Sequence, residues 1–195
     1  STIKVFGEST KSGSLFSLNS PLYPEDHYAK SKLQAELALR KIVSNNKMEL
    51  VIIRPPLIYG PGVKANFFRI MKLIDKRCPL PFGAIKNKRS ILYLGNLADF
   101  ILKCLNHKKV NGKIFLPSDS RALSTSELIT KISLSLNRKL YLINIPKFLL
   151  IIFSFLIGKK KVMNKLINSL NIDFSQSHNY MNWEPPFTTD EGLKI

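Results

Sequence analysis

The segment Leu50-Val-Ile-Ile-Arg-Pro-Pro56 decides the fold class of this chain. It opens with four consecutive apolar residues and has no polar face, which is typical of a strand buried inside a parallel sheet. The two prolines end the strand because proline has no N–H to donate to a neighbouring strand. Parallel strands need long connections, usually helical, so helices and strands should alternate on both sides of this segment.

The flanking sequence has this alternation. Upstream, Ala29, Leu33 and Leu37 recur at every fourth position and predict a helix over 26–44. Downstream, the pattern predicts strands at 91–94, 113–116 and 140–145, and helices at 66–76, 97–105, 124–136, 147–157, 162–170 and from 188 onward. The predicted fold class is therefore α/β with a mainly parallel sheet.

The composition excludes several classes of protein. The chain has 195 residues, of which 45% are hydrophobic and 22% charged, as expected of a globular domain rather than a disordered or collagen-like chain. Cys78 and Cys104 provide neither a disulfide framework nor a zinc set, and the three histidines stand far apart, so no metal site is predicted. A reducing cytoplasm is the expected location.

The net charge of +17 points to a negatively charged partner, such as a phosphorylated substrate, an anionic membrane or a nucleic acid. Of the 30 basic residues, 23 are Lys, and they are scattered along the chain. Base and phosphate readers rely on the bidentate fork of Arg. Nucleic-acid binding is therefore disfavoured.

The sharpest local motif is Tyr28-Ala-Lys-Ser-Lys32, inside the first predicted helix. Residues four apart share a helix face, so Tyr28 and Lys32 point the same way. An ammonium beside a phenol stabilises the phenolate, and such a tyrosine can serve as general acid or base when a hydroxyl and a carbonyl interconvert. Taken alone, the pair is better explained as a surface tyrosine packed on a lysine stem, because such spacings occur often by chance.

Other motifs stand in order around this pair. Ser1-Thr-Ile-Lys-Val-Phe-Gly7 precedes it, and Arg54-Pro-Pro-Leu-Ile-Tyr-Gly-Pro-Gly62 follows it. Further on come Arg89–Asp99, Trp183-Glu-Pro and Glu191-Gly-Leu. Together they resemble the extended short-chain dehydrogenase/reductase family, the NAD-dependent nucleotide-sugar epimerases and dehydratases. The chain looks most like the UDP-glucose and UDP-N-acetylhexosamine 4-epimerases and the related 4-keto sugar reductases.

This resemblance implies catalytic and cofactor-binding roles for four residues. Thr2 would hydrogen-bond the reacting oxygen of the sugar, and Tyr28 would be the catalytic acid and base. Lys32 would bind the nicotinamide ribose of NAD and favour the phenolate of Tyr28. Pro55 would pass the nicotinamide with its backbone. NAD is the expected cofactor, and NADP stays open.

Two further residues would bind the diphosphate of a UDP-sugar. Asn66 matches a family position that contacts this group, although it also fits a helix N-cap. Arg89 is the candidate phosphate clamp, although it also fits a solvated cation in a turn.

The resemblance also implies an architecture, the C-terminal portion of a Rossmann-like parallel sheet plus a smaller α/β substrate-binding lobe. Residues 1–60 would form a partial Rossmann catalytic segment and residues 61–195 mainly the substrate-binding subdomain, with 91–116 as a stretch that returns to the Rossmann sheet. None of the nine glycines forms the family's Gly-rich phosphate-binding motif. The chain is therefore expected to be a fragment, half of a split protein or the product of a decayed gene. Its partner would be the missing N-terminal half or a second copy.

The two residues after Thr2 limit which reaction of the family is expected. The 4,6-dehydratases of this family have Asp-Glu there, whereas this chain has Ile3-Lys4, so dehydration is disfavoured. The expected function is 4-epimerisation of a UDP-sugar by transient NAD-dependent oxidation at C4. The alternatives are a 4-keto-6-deoxy UDP-sugar reductase and a non-catalytic, membrane-peripheral remnant or interaction protein.

The segment Phe148–Ile157 bears on the last alternative. It is the longest apolar run, too short to span a bilayer, and Lys159-Lys160-Lys161 follows it. This pattern fits a membrane-surface anchor with a basic flank. Because only Ser154 interrupts the apolar residues, a buried helix of the substrate-binding lobe is the favoured interpretation.

Overall fold

The computed structural model describes residues 1–11, 13–63 and 65–194. In this part of the chain the strands are β1 (Ile52–Ile53), β2 (Leu57–Tyr59), β3 (Ile91–Tyr93) and β4 (Ile114–Phe115). The helices are α1 (His27–Val43), α2 (Ala65–Asp75), α3 (Leu94–Asn106), α4 (Thr125–Ser135), α5 (Lys147–Leu156), α6 (Lys160–Ile167), α7 (Ser175–Met181) and α8 (Thr189–Leu193). A short 3-10 turn spans Ile3–Val5. The α/β fold class is confirmed.

The strands form two small parallel sheets. In the first, β1 pairs with β4, and Ile52 lies opposite Ile114. In the second, β2 pairs with β3, and Tyr59 lies opposite Tyr93. Only Arg54-Pro55-Pro56 separates β1 from β2, so the prolines that end the first sheet also lead directly into the second.

A buried ion pair attaches α1 to the end of β1. The guanidinium of Arg54 donates from Nε and Nη2 to the two carboxylate oxygens of Glu36, at 2.9 and 2.6 Å. Burial alone would raise the pKa of Glu36, but the hydrogen bonds from Arg54 and Ser1 outweigh it and the pKa is lowered. The pair anchors the middle of α1, the helix that carries Tyr28, to the chain just after β1.

A buried carboxylate joins the second sheet to the C-terminal segment. Asp119 accepts hydrogen bonds from the hydroxyl of Tyr59 at 2.8 Å, the backbone N–H of Tyr93 at 3.1 Å and the side-chain amide of Asn96 at 2.8 Å. The same amide of Asn96 also exchanges two hydrogen bonds with the backbone of Phe187. These contacts give Asn96, a polar residue of the Arg89–Asp99 motif, a structural role.

Three segments differ from the sequence-based predictions. The strand predicted at 140–145 is wrong: that stretch contributes only an isolated bridge between Leu80 and Leu142, because no long partner strand runs beside it. Strand β2 was not predicted, since three residues between Pro56 and Gly60 are too few for a periodicity. Helix α7 was missed because its sequence is mostly polar.

The prediction of a buried helix at Phe148–Ile157 is also wrong. Helix α5 buries only Leu150 and Ser154 completely, whereas Phe148 and Phe155 are 61% and 70% exposed. The helix packs against α6, and these two buried residues, four apart, lie on a single stripe of its surface. No helix in the described ranges is long and apolar enough to cross a membrane.

Candidate active site

A cavity of about 510 Å³ brings together four of the six residues that the sequence singles out, namely Thr2, Tyr28, Asn66 and Arg89. Its walls come from the N-terminal turn, α1, the residues after β1, α2, α4 and α6. The other two predicted residues lie beside this group, Lys32 next to Tyr28 and Pro55 next to the N-terminal turn.

Tyr28 lies in the first turn of α1, whose start is capped by Asp26. The carboxylate of Asp26 accepts a hydrogen bond from the N–H of Ala29 at 2.7 Å and also pairs with Lys4. Burial opposes ionisation of Asp26, but these hydrogen bonds lower its pKa to about 2. Lys32 follows one helical turn later, with Nζ 5.6 Å from the centroid of the Tyr28 ring, as the four-residue spacing predicts.

Lys4 is a second cation beside Tyr28 that the sequence analysis did not include among the site residues. Its Nζ lies 5.9 Å from the centroid of the Tyr28 ring, and it forms salt bridges with Glu8 and Asp26. Burial lowers the pKa of Lys4, but the two carboxylates more than compensate and raise it. The 3-10 turn that directs Lys4 towards Tyr28 leaves no periodic signal in so short a segment.

The N-terminal turn that begins at Thr2 is bonded to the backbone of Pro55. Thr2 is buried and caps the 3-10 turn, its Oγ1 accepting from the N–H of Lys4 at 3.4 Å. The carbonyl of Pro55 accepts from the N–H of Ile3 at 3.1 Å, so this carbonyl is already engaged. The next two residues, Pro56 and Leu57, line the cavity themselves.

Arg89 supplies a positive charge to the cavity wall. Its backbone exchanges hydrogen bonds with Leu123, and its Nη1 donates to the carbonyl of Asn168 at 3.0 Å. The residue is partly exposed as a whole, but its guanidinium is enclosed, and this burial lowers the pKa of Arg89 to about 10. Among the described residues, no carboxylate lies within salt-bridge distance of it. The alternative of a solvated turn cation is therefore wrong.

Asn66 is the second residue of α2, which begins at Ala65. The N-cap alternative for Asn66 is therefore wrong, because the cap precedes the first helical residue. Asn66 lines the cavity together with Phe67 and Ile70 of the same helix. The amino-terminal end of α2, with its partial positive charge, is consequently close to the cavity.

Helix α6 forms a wall that the sequence analysis did not assign to the site. Lys161, Val162, Lys165 and Leu166 all line the cavity. The basic lining residues Lys4, Arg89, Lys161 and Lys165 outnumber the acidic one, Glu8. The cavity therefore has a net positive charge and suits an anionic ligand.

A metal site would need a cluster of side chains that could bind the ion. Within residues 1–11, 13–63 and 65–194, no three His, Cys, Asp or Glu side chains come together in a way that could hold a metal ion.

Similar proteins give this geometry a context. A family model described as "NAD dependent epimerase/dehydratase family" matches residues 1–116. A Vibrio cholerae protein described as UDP-glucose 4-epimerase is 40% identical over 195 residues, which are 100% of this chain and 60% of that protein. An Escherichia coli O157:H7 protein described as N-acetyl-alpha-D-glucosaminyl-diphospho-ditrans,octacis-undecaprenol 4-epimerase is 29% identical over 189 residues, 90% of this chain and 57% of that protein.

A solved structure supports the fold. The crystal structure of UDP-N-acetylglucosamine 4-epimerase from Bacillus cereus superposes with a TM-score of 0.76 at 21% identity, covering 100% of this chain and 62% of that one. The chain thus spans about three fifths of the length of the relatives it matches.

Proposed function

The chain belongs to the NAD dependent epimerase/dehydratase family, and on this premise we propose that it forms the catalytic and substrate-binding part of a nucleotide-sugar 4-epimerase. The observation that carries the proposal is the pairing, in one cavity, of Tyr28 with its two neighbouring ammonium groups and the carboxylate-free guanidinium of Arg89. The tyrosine suits proton transfer at a sugar hydroxyl, and the arginine suits a diphosphate.

Tyr28 is the proposed acid and base. When the C4 hydroxyl of the sugar is oxidised, the phenolate oxygen takes its proton, and it returns the proton when the C4 ketone is reduced on the other face. Lys32 and Lys4 are the proposed cationic neighbours of this tyrosine, with Nζ atoms 5.6 and 5.9 Å from the centroid of its ring. The hydroxyl of Thr2, which also lines the cavity, is the proposed hydrogen-bond partner of the reacting oxygen.

The diphosphate of the nucleotide sugar would bind at the part of the cavity wall that contains Arg89. Arg89 is able to donate to phosphate oxygens in a bidentate fashion, and its backbone is held on both sides by neighbouring chain segments. Asn66 at the start of α2 offers an amide to the same group. Lys161 and Lys165 of α6 add positive charge at the rim.

The residues near Tyr28 fit the nicotinamide end of NAD. Lys32 would bind the ribose, and the backbone at Pro56 and Leu57, whose residues line the cavity, would pass the ring. Bound NAD supplies the acceptor and donor of the hydride at C4. The 195-residue sequence has no Gly-rich turn to receive the pyrophosphate, so that part of the cofactor site is not among these residues.

Epimerisation is favoured over dehydration by the two residues after Thr2. Ile3 is buried and apolar, and Lys4 is held in salt bridges, so neither can supply the acid and base that eliminate water. A 4-keto-6-deoxy sugar reductase would use the same groups as an epimerase and remains the alternative.

The division of the chain is proposed as follows. Residues 1–60 contribute the catalytic segment of the larger sheet, and residues 61–195 mainly the substrate-binding subdomain. The parallel pairing of β4 with β1 supports a return of the 91–116 region to the first sheet at its end. β3, within the same region, pairs with β2 in the second sheet instead.

The experiment that tests the proposal is an epimerase assay on the encoded protein that contains this chain. With NAD added, we expect UDP-N-acetylglucosamine or UDP-glucose to equilibrate with its C4 epimer. Chromatography of the sugar nucleotides measures this conversion. Consumption of a 4-keto-6-deoxy UDP-sugar with NADH, without any epimerisation, would replace the epimerase by the reductase. If the protein shows neither epimerase nor reductase activity, the proposal is wrong.

A second substrate class is favoured by the position of α6. This helix is both a wall of the cavity and the neighbour of the exposed apolar helix α5. A sugar carried on a polyprenyl diphosphate shares the sugar-diphosphate chemistry of a UDP-sugar and has a lipid tail besides. The same assay with a polyprenyl-diphosphate N-acetylhexosamine distinguishes the two, because an enzyme for lipid-linked sugars will leave the UDP-sugar unchanged.

A further inference from the structure

Helix α5 and the start of α6 form an exposed surface of which the proposed function uses only Lys161. This apolar–basic surface consists of apolar side chains followed by a lysine run: Phe148, Leu149, Ile152, Phe153, Phe155, Leu156, Lys159, Lys160 and Lys161. All of these residues are exposed. So many large apolar side chains in contact with water mark an interaction site.

The stretch of sequence that contains this surface carries charge of one sign. Between Glu127 and Asp173 the sequence has eight Lys and Arg residues and no Asp or Glu. Arg138 and Lys131 are paired with carboxylates elsewhere in the fold, whereas Lys159, Lys160 and Lys161 form no salt bridge within the described part of the chain. The partner of the surface must therefore combine an apolar interior with a negatively charged face.

We propose that the apolar–basic surface docks on an anionic lipid bilayer. Phe and Leu side chains enter the boundary between headgroups and acyl chains, and lysines bind the lipid phosphates. With ten residues, α5 is about 15 Å long, so it lies in the plane of the bilayer rather than across it. A second copy of the chain is a poorer occupant because it would bring two lysine runs together.

Docking has a consequence for the cavity. Lys161 belongs to both the apolar–basic surface and the cavity wall, and Val162 and Lys165 follow it along that wall. A bilayer that covers α5 is therefore next to the α6 side of the cavity. The proposal goes beyond the proposed function and holds whether the substrate is a UDP-sugar or a lipid-linked sugar.

Vesicle sedimentation tests the proposal directly. We expect the protein to sediment with vesicles of phosphatidylcholine mixed with phosphatidylglycerol, and much less with phosphatidylcholine alone. Phe153→Glu should weaken binding to the mixed vesicles about tenfold, because it places a charge in the apolar face. The double variant Lys159→Gln/Lys160→Gln should lose the preference for anionic vesicles and the sensitivity to salt.

Matched controls separate docking from general effects of charge or folding. Leu105→Glu changes an apolar residue of α3 that is 76% exposed, and Lys108→Gln/Lys109→Gln removes two exposed lysines from a different loop. Both should bind anionic vesicles like the unchanged protein, and circular dichroism should be the same for all variants.

Three results would overturn the proposal. The first is vesicle binding by Phe153→Glu that equals that of the unchanged protein. The second is an equal loss of vesicle binding in Leu105→Glu, which would mean that exposed apolar residues anywhere on the protein contribute to binding. The third is a protein that ignores vesicles but forms a dimer that Phe153→Glu dissociates in light scattering, because a second copy would then occupy the surface.

Discussion

The hydroxyl of Tyr28 is the proposed group for proton transfer to and from the sugar. Tyr28→Phe should lower the turnover number by about 100-fold or more, since a phenyl ring cannot take or return a proton. Binding of the UDP-sugar should be unchanged because Arg89 and Asn66 remain. The measurements are the epimerase assay and a calorimetric titration with UDP-sugar on the same preparation.

A second tyrosine provides the control for that substitution. Tyr23 lies in the preceding loop and is 72% exposed, so Tyr23→Phe should retain full turnover. Near-normal turnover in Tyr28→Phe would show that another group moves the proton.

Arg89 is the proposed binding partner of the diphosphate. Arg89→Ala should weaken UDP-sugar binding by about 1.5–3 kcal/mol, the range for a hydrogen bond to a charged group, and Arg89→Lys should restore only part of this. Calorimetry measures both, with Arg40→Ala as the control, because Arg40 lies exposed in the last turn of α1. Unchanged affinity in Arg89→Ala would place the diphosphate elsewhere.

The predictability of these residues depends on how local their geometry is. The Tyr28–Lys32 pair follows from a four-residue spacing on one helix, and the sequence suffices to predict it. The enclosure of Arg89 depends on Leu123, Asn168 and Leu170, which are all distant from it in the chain. The sequence alone therefore could not distinguish an enclosed arginine from a solvated cation in a turn. Lys4 was missed because a 3-10 turn orients it.

At the scale of elements, the Glu36–Arg54 pair joins α1 to β1. Glu36→Gln leaves the guanidinium of Arg54 buried without its countercharge and should lower the free energy of unfolding by about 3 kcal/mol. Urea denaturation followed by circular dichroism measures this. Glu49→Gln, at an exposed glutamate, should leave the free energy of unfolding nearly unchanged.

The same pair has a defined pH dependence. The pKa of Glu36 is lower in the folded chain than its ordinary value of 4.5, so its contribution to stability is present above pH 4.5 and is lost as the pH falls below that value. Urea midpoints of the unchanged chain should therefore fall more steeply on acidification than those of Glu36→Gln. Parallel curves would mean that the carboxylate is not specifically stabilised.

Elements with strong local signals were predicted well. The helix predicted at 26–44 is α1, and the capping box of Ser124 and Glu127 begins α4 as expected. Burial was harder to predict than helicity. An apolar helix looks the same in sequence whether it packs in a core or projects from it, and only the neighbours of α5 decide the matter.

At the scale of the whole molecule, the 195-residue chain should not bind NADH by itself. Binding of the dinucleotide needs backbone donors of a Gly-rich turn at a helix start, and none of the nine glycines is in such a motif. A fluorescence titration with NADH should show no saturation in the micromolar range. Adding a polypeptide that carries the Gly-rich half of the family's fold should create saturable binding, whereas saturation by the chain alone would reveal an unrecognised cofactor site.

The two walls of the cavity differ in how freely their sequences can change. The backbone of Arg89 exchanges hydrogen bonds with Leu123, and the neighbouring Ser90 and Lys88 bond to Leu170, so a substitution or insertion there disturbs three chain segments at once. Lys161 and Val162 are exposed on α6, where substitutions usually change stability little. We therefore expect variants with a new sugar specificity to carry most of their substitutions on α6. Such variants would keep Arg89, the proposed phosphate-binding residue, and the Tyr28 side of the cavity intact.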